Sequence, residues 1–395
     1  MAFFLSSLLF PLSASRLRRP PWKPTLLFVL LSELFADNSV VAVNGLSNLG
    51  INYGISVIVG IGNEDVASLT NTDYAANWVQ TNIAYYYPAT QIAGILVGNE
   101  VFSGDDSQLK MDLLLAMENL YVALQNLGLD AHVFVSTAHS QAILSTSFPP
   151  SSGSFASDIG STYLSPMLKF LENAGAPFMI NPYPYFAYKA NPNTVSLQYA
   201  LSAAPSTSTG AQTSVAASSV SATVVTDPNT GLAYYNLLDA EVDAVYAALA
   251  ALGYNDIEVI VSETGWPSAG DSDEAGATLE NAQAYNSNLI ARLQRGQGTP
   301  AKPNVPLVAF IFALFNEDMK YGPTSERHYG LFNPDRTPAY DFGLLSTSSK
   351  STVDPYSVYY HISSSIRWLP QLTTYTLAVA AFLIHCFLLK DLVLC

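Results

Sequence analysis

Six short apolar runs rich in Val, Ile and Phe recur through the middle of the chain, at residues 55–61, 92–98, 132–137, 178–183, 257–261 and 305–312. Polar or turn residues follow each run. Stretches with helical apolar spacing, such as 107–127 and 234–252, lie between them. This alternation restricts the fold more than any other feature. Strands separated by helix-length connectors pair in parallel, and a parallel sheet needs helices over its faces. The pattern predicts repeated βα units around a parallel sheet. The length of 395 residues suits a (β/α) barrel of about 250 to 400 residues with additional ends.

Two of these runs finish in the same way. The run Ile92-Ala-Gly-Ile-Leu-Val-Gly-Asn-Glu100 delivers Glu100 at its carboxyl end, and Ile257-Glu-Val-Ile-Val-Ser-Glu263 delivers Glu263. In a parallel barrel the carboxyl ends of the strands form the reactive face. Cleaving an acetal needs one carboxyl to protonate the leaving oxygen and another to attack or stabilise the oxocarbenium-like centre. Either glutamate alone reads as a solvated loop residue. The pair, flanked by Gly98, Asn99, Ser262, Thr264 and Gly265, points to carboxylate-pair chemistry. Trp266 with Tyr183, Tyr185 and Tyr188 offers rings that can stack on sugar faces, although strand tyrosines are also ordinary core residues.

Several blocks taken together resemble the family 17 glycoside hydrolases of plants, the β-1,3-glucan endohydrolases. They are Gly50-Ile-Asn-Tyr-Gly54, Val59-Gly-Ile-Gly-Asn-Glu-Asp65, Val97-Gly-Asn-Glu-Val101, Asn181-Pro-Tyr-Pro-Tyr185, Val261-Ser-Glu-Thr-Gly-Trp-Pro267 and Phe310-Ile-Phe-Ala-Leu-Phe-Asn-Glu317. The block Glu326-Arg-His-Tyr-Gly-Leu-Phe-Asn-Pro334 completes the set. The resemblance spans roughly residues 48 to 345. It implies a (β/α)8 TIM-type barrel and retaining endo-hydrolysis of β-1,3-glucosidic bonds in callose- or laminarin-like glucans. Glu100 would be the acid/base and Glu263 the nucleophile. It further implies that Asn99 binds near the 2-hydroxyl, that Tyr53 and Tyr183 line the cleft, and that Trp266 contributes to substrate binding. Glu317, Lys320 and Glu326 would form a charged network beside the nucleophile. For these three, a surface ion-pair cluster is the alternative.

One stretch departs from that pattern. Between Gly54 and the next strand at Ile55 no room exists for a helix, whereas the family implies a helix and a second strand there. Counting the block at 50–54, seven strands are expected where eight are implied, so the barrel is read as lacking its first helix and second strand. A β-glucan-binding wall protein with impaired catalysis, and a β-1,3-glucan transglycosylase, are the alternatives to hydrolysis.

The net charge of −15 argues against nucleic acid or anionic membrane surfaces as partners and leaves a neutral polysaccharide open. Apolar residues make up 49% and charged residues 12%, which favours a well-buried body. Cys386 and Cys395 are the only cysteines, so no disulfide framework holds the main domain. The five histidines are scattered and no Gly-rich phosphate loop follows a strand, so neither a metal nor a cofactor is expected. A monomer is expected.

The chain divides into an N-terminal segment at 1–45, a barrel at 46–345 and a tail at 346–395. Basic residues Arg16 to Lys23 between two apolar runs resemble a secretory signal or signal anchor. Small residues at Ser363-Ser-Ser365, a spacer and the apolar run 375–389 resemble a glycolipid-anchor signal. A secreted or wall-associated protein is expected, with a plasma-membrane tether as one form. The Ser/Ala/Thr-rich run 203–226 reads as a flexible insertion with no packing role.

Overall fold

The computed structural model describes residues 56–202 and 223–343. The first-strand block with Tyr53, both terminal segments and most of the Ser/Ala/Thr-rich run lie outside the described residues.

All six predicted runs form strands. They are β1 (Ser56–Ile61), β2 (Gln91–Asn99), β3 (Phe134–Ser140), β4 (Phe178–Asn181), β5 (Val259–Thr264) and β6 (Ala309–Ile311). They pair in parallel, each with its sequence neighbour, to give one six-stranded sheet. This sequential parallel order makes the sheet an arc of a barrel wall. β1 and β6 are its edges among the described residues.

Prolines account for the shorter strands. The predicted run 305–312 contains Pro306, which has no N–H to give the ladder, and Leu307 N donates to Gln297 O, so the first bond to β5 is that from Val261 N to Val308 O. The run 178–183 stops at Asn181 because Pro182 follows and Pro184 opens a helix. β3 extends past the predicted end at residue 137, because His139 is buried with its ring stacked on Phe102 and Phe178 at 5.4 and 4.7 Å.

Helices α1 (Thr72–Val79), α2 (Ser107–Asn126), α3 (Ser165–Ala174), α4 (Pro184–Ala190), α5 (Leu237–Ala251) and α6 (Leu279–Gln294) connect the strands. Local chemistry fixes their ends. The Asp106 carboxylate accepts from the Gln108 and Leu109 amides to start α2, and Gly128 at φ 67° ends it. The Asn236 side chain accepts from Asp239 N to start α5, and the Thr278 hydroxyl accepts from Asn281 N to start α6. Apolar faces of α2, α3, α5 and α6 pack with the strands into one continuous core that includes Ile95, Val135, Phe178 and Val261.

The expectation of no packing role across 203–226 is corrected at its carboxyl end. Val225–Thr226 pairs antiparallel with Ala233–Tyr234, and Val225 packs beside Tyr199 and Tyr234. A β-branched residue next to an aromatic strand is a better ribbon than linker.

Candidate active site

Glu100 stands immediately after β2 with φ 52° and ψ 29°, a left-handed conformation uncommon outside glycine. Its surroundings hold it there. The Glu100 amide donates to Ala138 O at 2.9 Å, across the sheet. Asn63 clasps the preceding residue from both sides, its Oδ1 accepting from Asn99 N at 2.8 Å and its Nδ2 donating to Asn99 O at 3.0 Å. Gly98 makes that approach possible. It has φ 65°, and a Cβ there would come within 2.8 Å of Asn63 Oδ1 and of Val101 Cγ2.

The side chain of Glu100 is half-buried and accepts from Asn181 Nδ2 at 2.9 Å. The same amide nitrogen lies 3.2 Å from Asn99 Oδ1, and Asn181 Oδ1 accepts from Ser262 Oγ at 2.6 Å. A hydrogen-bonded chain therefore runs along the carboxyl ends of β2, β4 and β5, from Glu100 to the residue before Glu263. Three consecutive motifs meet in it.

Glu263 is half-buried on β5 and accepts from Tyr183 Oη at 3.0 Å. Burial pushes its carboxyl up to about 7. Tyr183's hydrogen bond opposes that shift, the charge of Glu100 adds to it, and the nearby Lys320 ammonium opposes it. The charge of Glu100 thus reaches Glu263.

Lys320 sits between two carboxylates, at 3.3 Å from Glu317 Oε2 and 3.5 Å from Glu326 Oε2, and over the ring of Phe312 at 4.8 Å from its centre. The structure thus brings Glu317, Lys320 and Glu326 together as one ion-paired cluster, and the influence of Lys320 and Glu317 on Glu263 puts that cluster near Glu263.

The aromatic expectation divides. Tyr183 is half-buried beside the pair, next to Phe186, whose ring centre is 5.3 Å away and which is 43% exposed. Trp266 does not face a cleft, and this corrects the stacking role expected for it. It has no exposed surface, its indole N–H donates to Gly276 O at 2.8 Å, and its ring packs edge-on against Tyr185 at 5.3 Å. Tyr185 is equally buried. Gly265, just before Trp266, packs so closely against Phe312 O that no Cβ would fit. Trp266 and Tyr185 are core residues packed against each other.

Asn63, Asn181 and Ser262 were missed as site residues by the sequence. Asn181 carried a legible signal, since like Asn99 it is an amide at the end of an apolar strand. Ser262 was marked only by its place beside Glu263 in the strand-end motif, its partner Asn181 lying 81 residues away, and Asn63 carried no signal, because Asn99 lies 36 residues away. Tyr53 lies outside the described residues. Among the described residues, no group of three His, Cys, Asp or Glu side chains is placed to hold a metal ion.

Residues 34–344 match the family described as glycosyl hydrolases family 17. The chain belongs to that family. Among curated family 17 relatives, glucan endo-1,3-beta-glucosidase 14 of Arabidopsis thaliana is 46% identical over 294 residues, covering 74% of this chain and 70% of the relative. Glucan endo-1,3-beta-glucosidase 11 of the same plant is 46% identical over 295 residues, covering 74% and 65%. Among solved structures, a β-1,3-glucanase and allergen of Cryptomeria japonica pollen superposes with a TM-score of 0.66 at 41% identity, covering 75% of this chain and 85% of that one. A plant β-glucan endohydrolase superposes at 0.62 with 35% identity, covering 73% and 84%. With its parallel sheet of six sequential strands, the family 17 chain has a fold of the TIM-barrel type.

Proposed function

We propose that this protein hydrolyses internal β-1,3-glucosidic bonds of a β-1,3-glucan with retention of configuration. The observation that carries the proposal is the hydrogen-bonded chain from Glu100 through Asn181 to Ser262, which orients one strand-end carboxylate beside a second, Glu263. The relatives named as glucan endo-1,3-beta-glucosidases support the linkage.

In the proposed reaction Glu100 protonates the leaving glycosidic oxygen while the Glu263 carboxylate attacks the anomeric carbon. Glu100 then takes a proton from the water that hydrolyses the glycosyl-enzyme. Glu263 must be ionised for this. Tyr183 donating to its Oε2 and the positive charge of Lys320 favour the carboxylate, whereas burial opposes it. Asn99, exposed beside Glu100, is placed for the substrate's 2-hydroxyl, and Phe186 with Tyr183 presents an apolar face to the sugar ring.

The sheet is proposed to lack the first helix and second strand of its family, because the sequence places the first-strand block directly before β1. The proposed location is outside the plasma membrane, secreted or held by a glycolipid, as a monomer. Support for the location comes from the basic-then-apolar N-terminal segment and the apolar C-terminal run.

The test is turnover of a soluble β-1,3-glucan by the full chain and by Glu100→Gln and Glu263→Gln. Each substitution is expected to lower kcat by at least about 10³-fold, the scale of a lost acid/base or nucleophile. Undiminished activity in both variants would refute the assignment. Saturable glucan binding with no turnover by the wild type would favour a binding protein, and longer products from a defined oligosaccharide would favour transglycosylation.

A further inference from the structure

The loop between β5 and α6 carries a buried carboxylate that the proposed reaction does not use. Glu274 is 4% exposed. Its Oε1 accepts from Lys189 Nζ of α4 at 2.8 Å and from Ser325 Oγ at 2.5 Å, and its Oε2 accepts from Ser325 N at 2.9 Å and Asp271 N at 3.0 Å. Burial alone would raise its pKa. The hydrogen bonds from Lys189, Ser325 and Asp271 outweigh it and hold the carboxyl at about 2, so Glu274 is ionised at every physiological pH.

Of these donors Ser325 belongs to a neighbouring loop, whereas Lys189 comes from α4 and Asp271 from the loop that carries Glu274. Asp271 accepts from Thr324 N at 3.0 Å and Thr324 Oγ1 at 2.6 Å, so two acids of one loop grip two successive residues of the other. Glu326 is the next residue but one after Thr324. Arg327 closes the gripped loop on itself by donating to Lys320 O and Gly322 O, each at 3.0 Å. The segment 317–327 is therefore a small rigid unit that contains Glu317, Lys320 and Glu326. Its attachment at 324–325 depends on Glu274 and Asp271.

We propose that Glu274 is a positioning residue that sets where the Lys320 ammonium stands relative to Glu263, and through that distance tunes the ionisation of Glu263. Glu274 touches neither the substrate nor the pair. Its effect passes through Ser325 to the 317–327 loop. A neutral amide at this position can still occupy the volume, but it places an N–H₂ against the donors Lys189 and Ser325 and loses half of the clamp.

The inference rests on the hydrolytic reading for its kinetic consequence but not for its structural one, and two measurements separate them. In Glu274→Gln, amide hydrogen exchange over 317–327 is expected to accelerate at least tenfold while the strands keep their protection. In glucan hydrolysis the same variant is expected to lose about 10- to 100-fold in kcat with KM nearly unchanged, and its acidic pH limb should move upward as Lys320 withdraws. In a Lys320→Met background Glu274→Gln should have no further effect on that limb, because the two act on one term. If Glu274→Gln does not fold, Asp271→Asn combined with Ser325→Ala carries the same two readouts from the other side of the clamp. Accelerated loop exchange in Glu274→Gln, beside a wild type that turns over no glucan, would leave the clamp standing and remove the hydrolytic reading. Exchange unchanged over 317–327, or an unmoved pH limb in an active enzyme, would overturn the positioning role.

Discussion

At the scale of single residues, Glu263 is held between opposing influences, and their balance makes its ionisation adjustable. Burial favours the neutral acid, while the Tyr183 hydroxyl and Lys320 favour the carboxylate, and the net pKa lies near 7. If Glu263 is the nucleophile, kcat/KM falls as pH drops below about 7, since the reactive form is the ionised one. Tyr183→Phe removes a donor that stabilises that form, so the limb moves up by about one pH unit. A pH–rate profile of the two proteins checks it. An unmoved acidic limb would mean that Glu263 is not the group whose ionisation sets it. Glu100 and Glu263 were legible in the sequence because a carboxylate ending an apolar strand is a local pattern. The burial of Trp266 was not, since its partners Tyr185 and Tyr285 come from distant parts of the chain. Nor was the grip of Asn181 on Glu100, which joins residues 81 apart.

At the scale of elements, strand positions were legible from apolar runs, and their ends moved by a few residues where proline or a buried histidine intervened. Helix α5 shows what apolar spacing does not reveal. It buries Asp239 and Asp243 and half-buries Glu241, and each finds a different solution. Asp239 pairs with Arg292, and Asp243 accepts from Tyr234 Oη at 3.0 Å and Ala301 N at 2.8 Å. Glu241 Oε2 has no hydrogen-bond partner among the described residues, and burial pushes its carboxyl up to about 8. A folded-state pKa raised from 4.5 to about 8 means that the folded protein holds a proton the unfolded chain releases. Stability from this group therefore falls as pH rises from about 4.5 to 8. Glu241→Gln removes the ionisation, and is expected to stabilise the protein at pH 8 by about 1–3 kcal/mol relative to its effect at pH 4.5. Thermal unfolding of both proteins at the two pH values measures it. Equal effects at both would contradict a protonated Glu241.

At the scale of the whole molecule, the sheet runs β1 to β6 in chain order with β1 and β6 at its edges among the described residues. The alternation of strand and helix made the parallel, barrel-type class legible. The sequence also placed the family's first block against β1 with no connector between them, a feature that concerns closure of the barrel and not the assembled end of β2, β4 and β5. Inserting a family-like helix and strand between Gly54 and Ser56 is expected to supply a further strand partner for β1, an edge strand among the described residues. The variant is expected to melt several degrees higher and to gain in kcat/KM, up to about 10²-fold if Asn63 and Asn99 now sit closer to their working geometry. Unchanged melting would mean that the edge is already covered.

The measurement that bears most directly on the carboxylate pair is the anomeric configuration of the first product released from a soluble β-1,3-glucan, followed by NMR before mutarotation. It is run on the full wild-type chain beside Glu100→Gln and Glu263→Gln. Expected is a β-configured reducing end from the wild type and no product from either variant above about one thousandth of the wild-type rate. An α-configured product, an inert wild type or an active Glu263→Gln would contradict a retaining mechanism carried by these two residues.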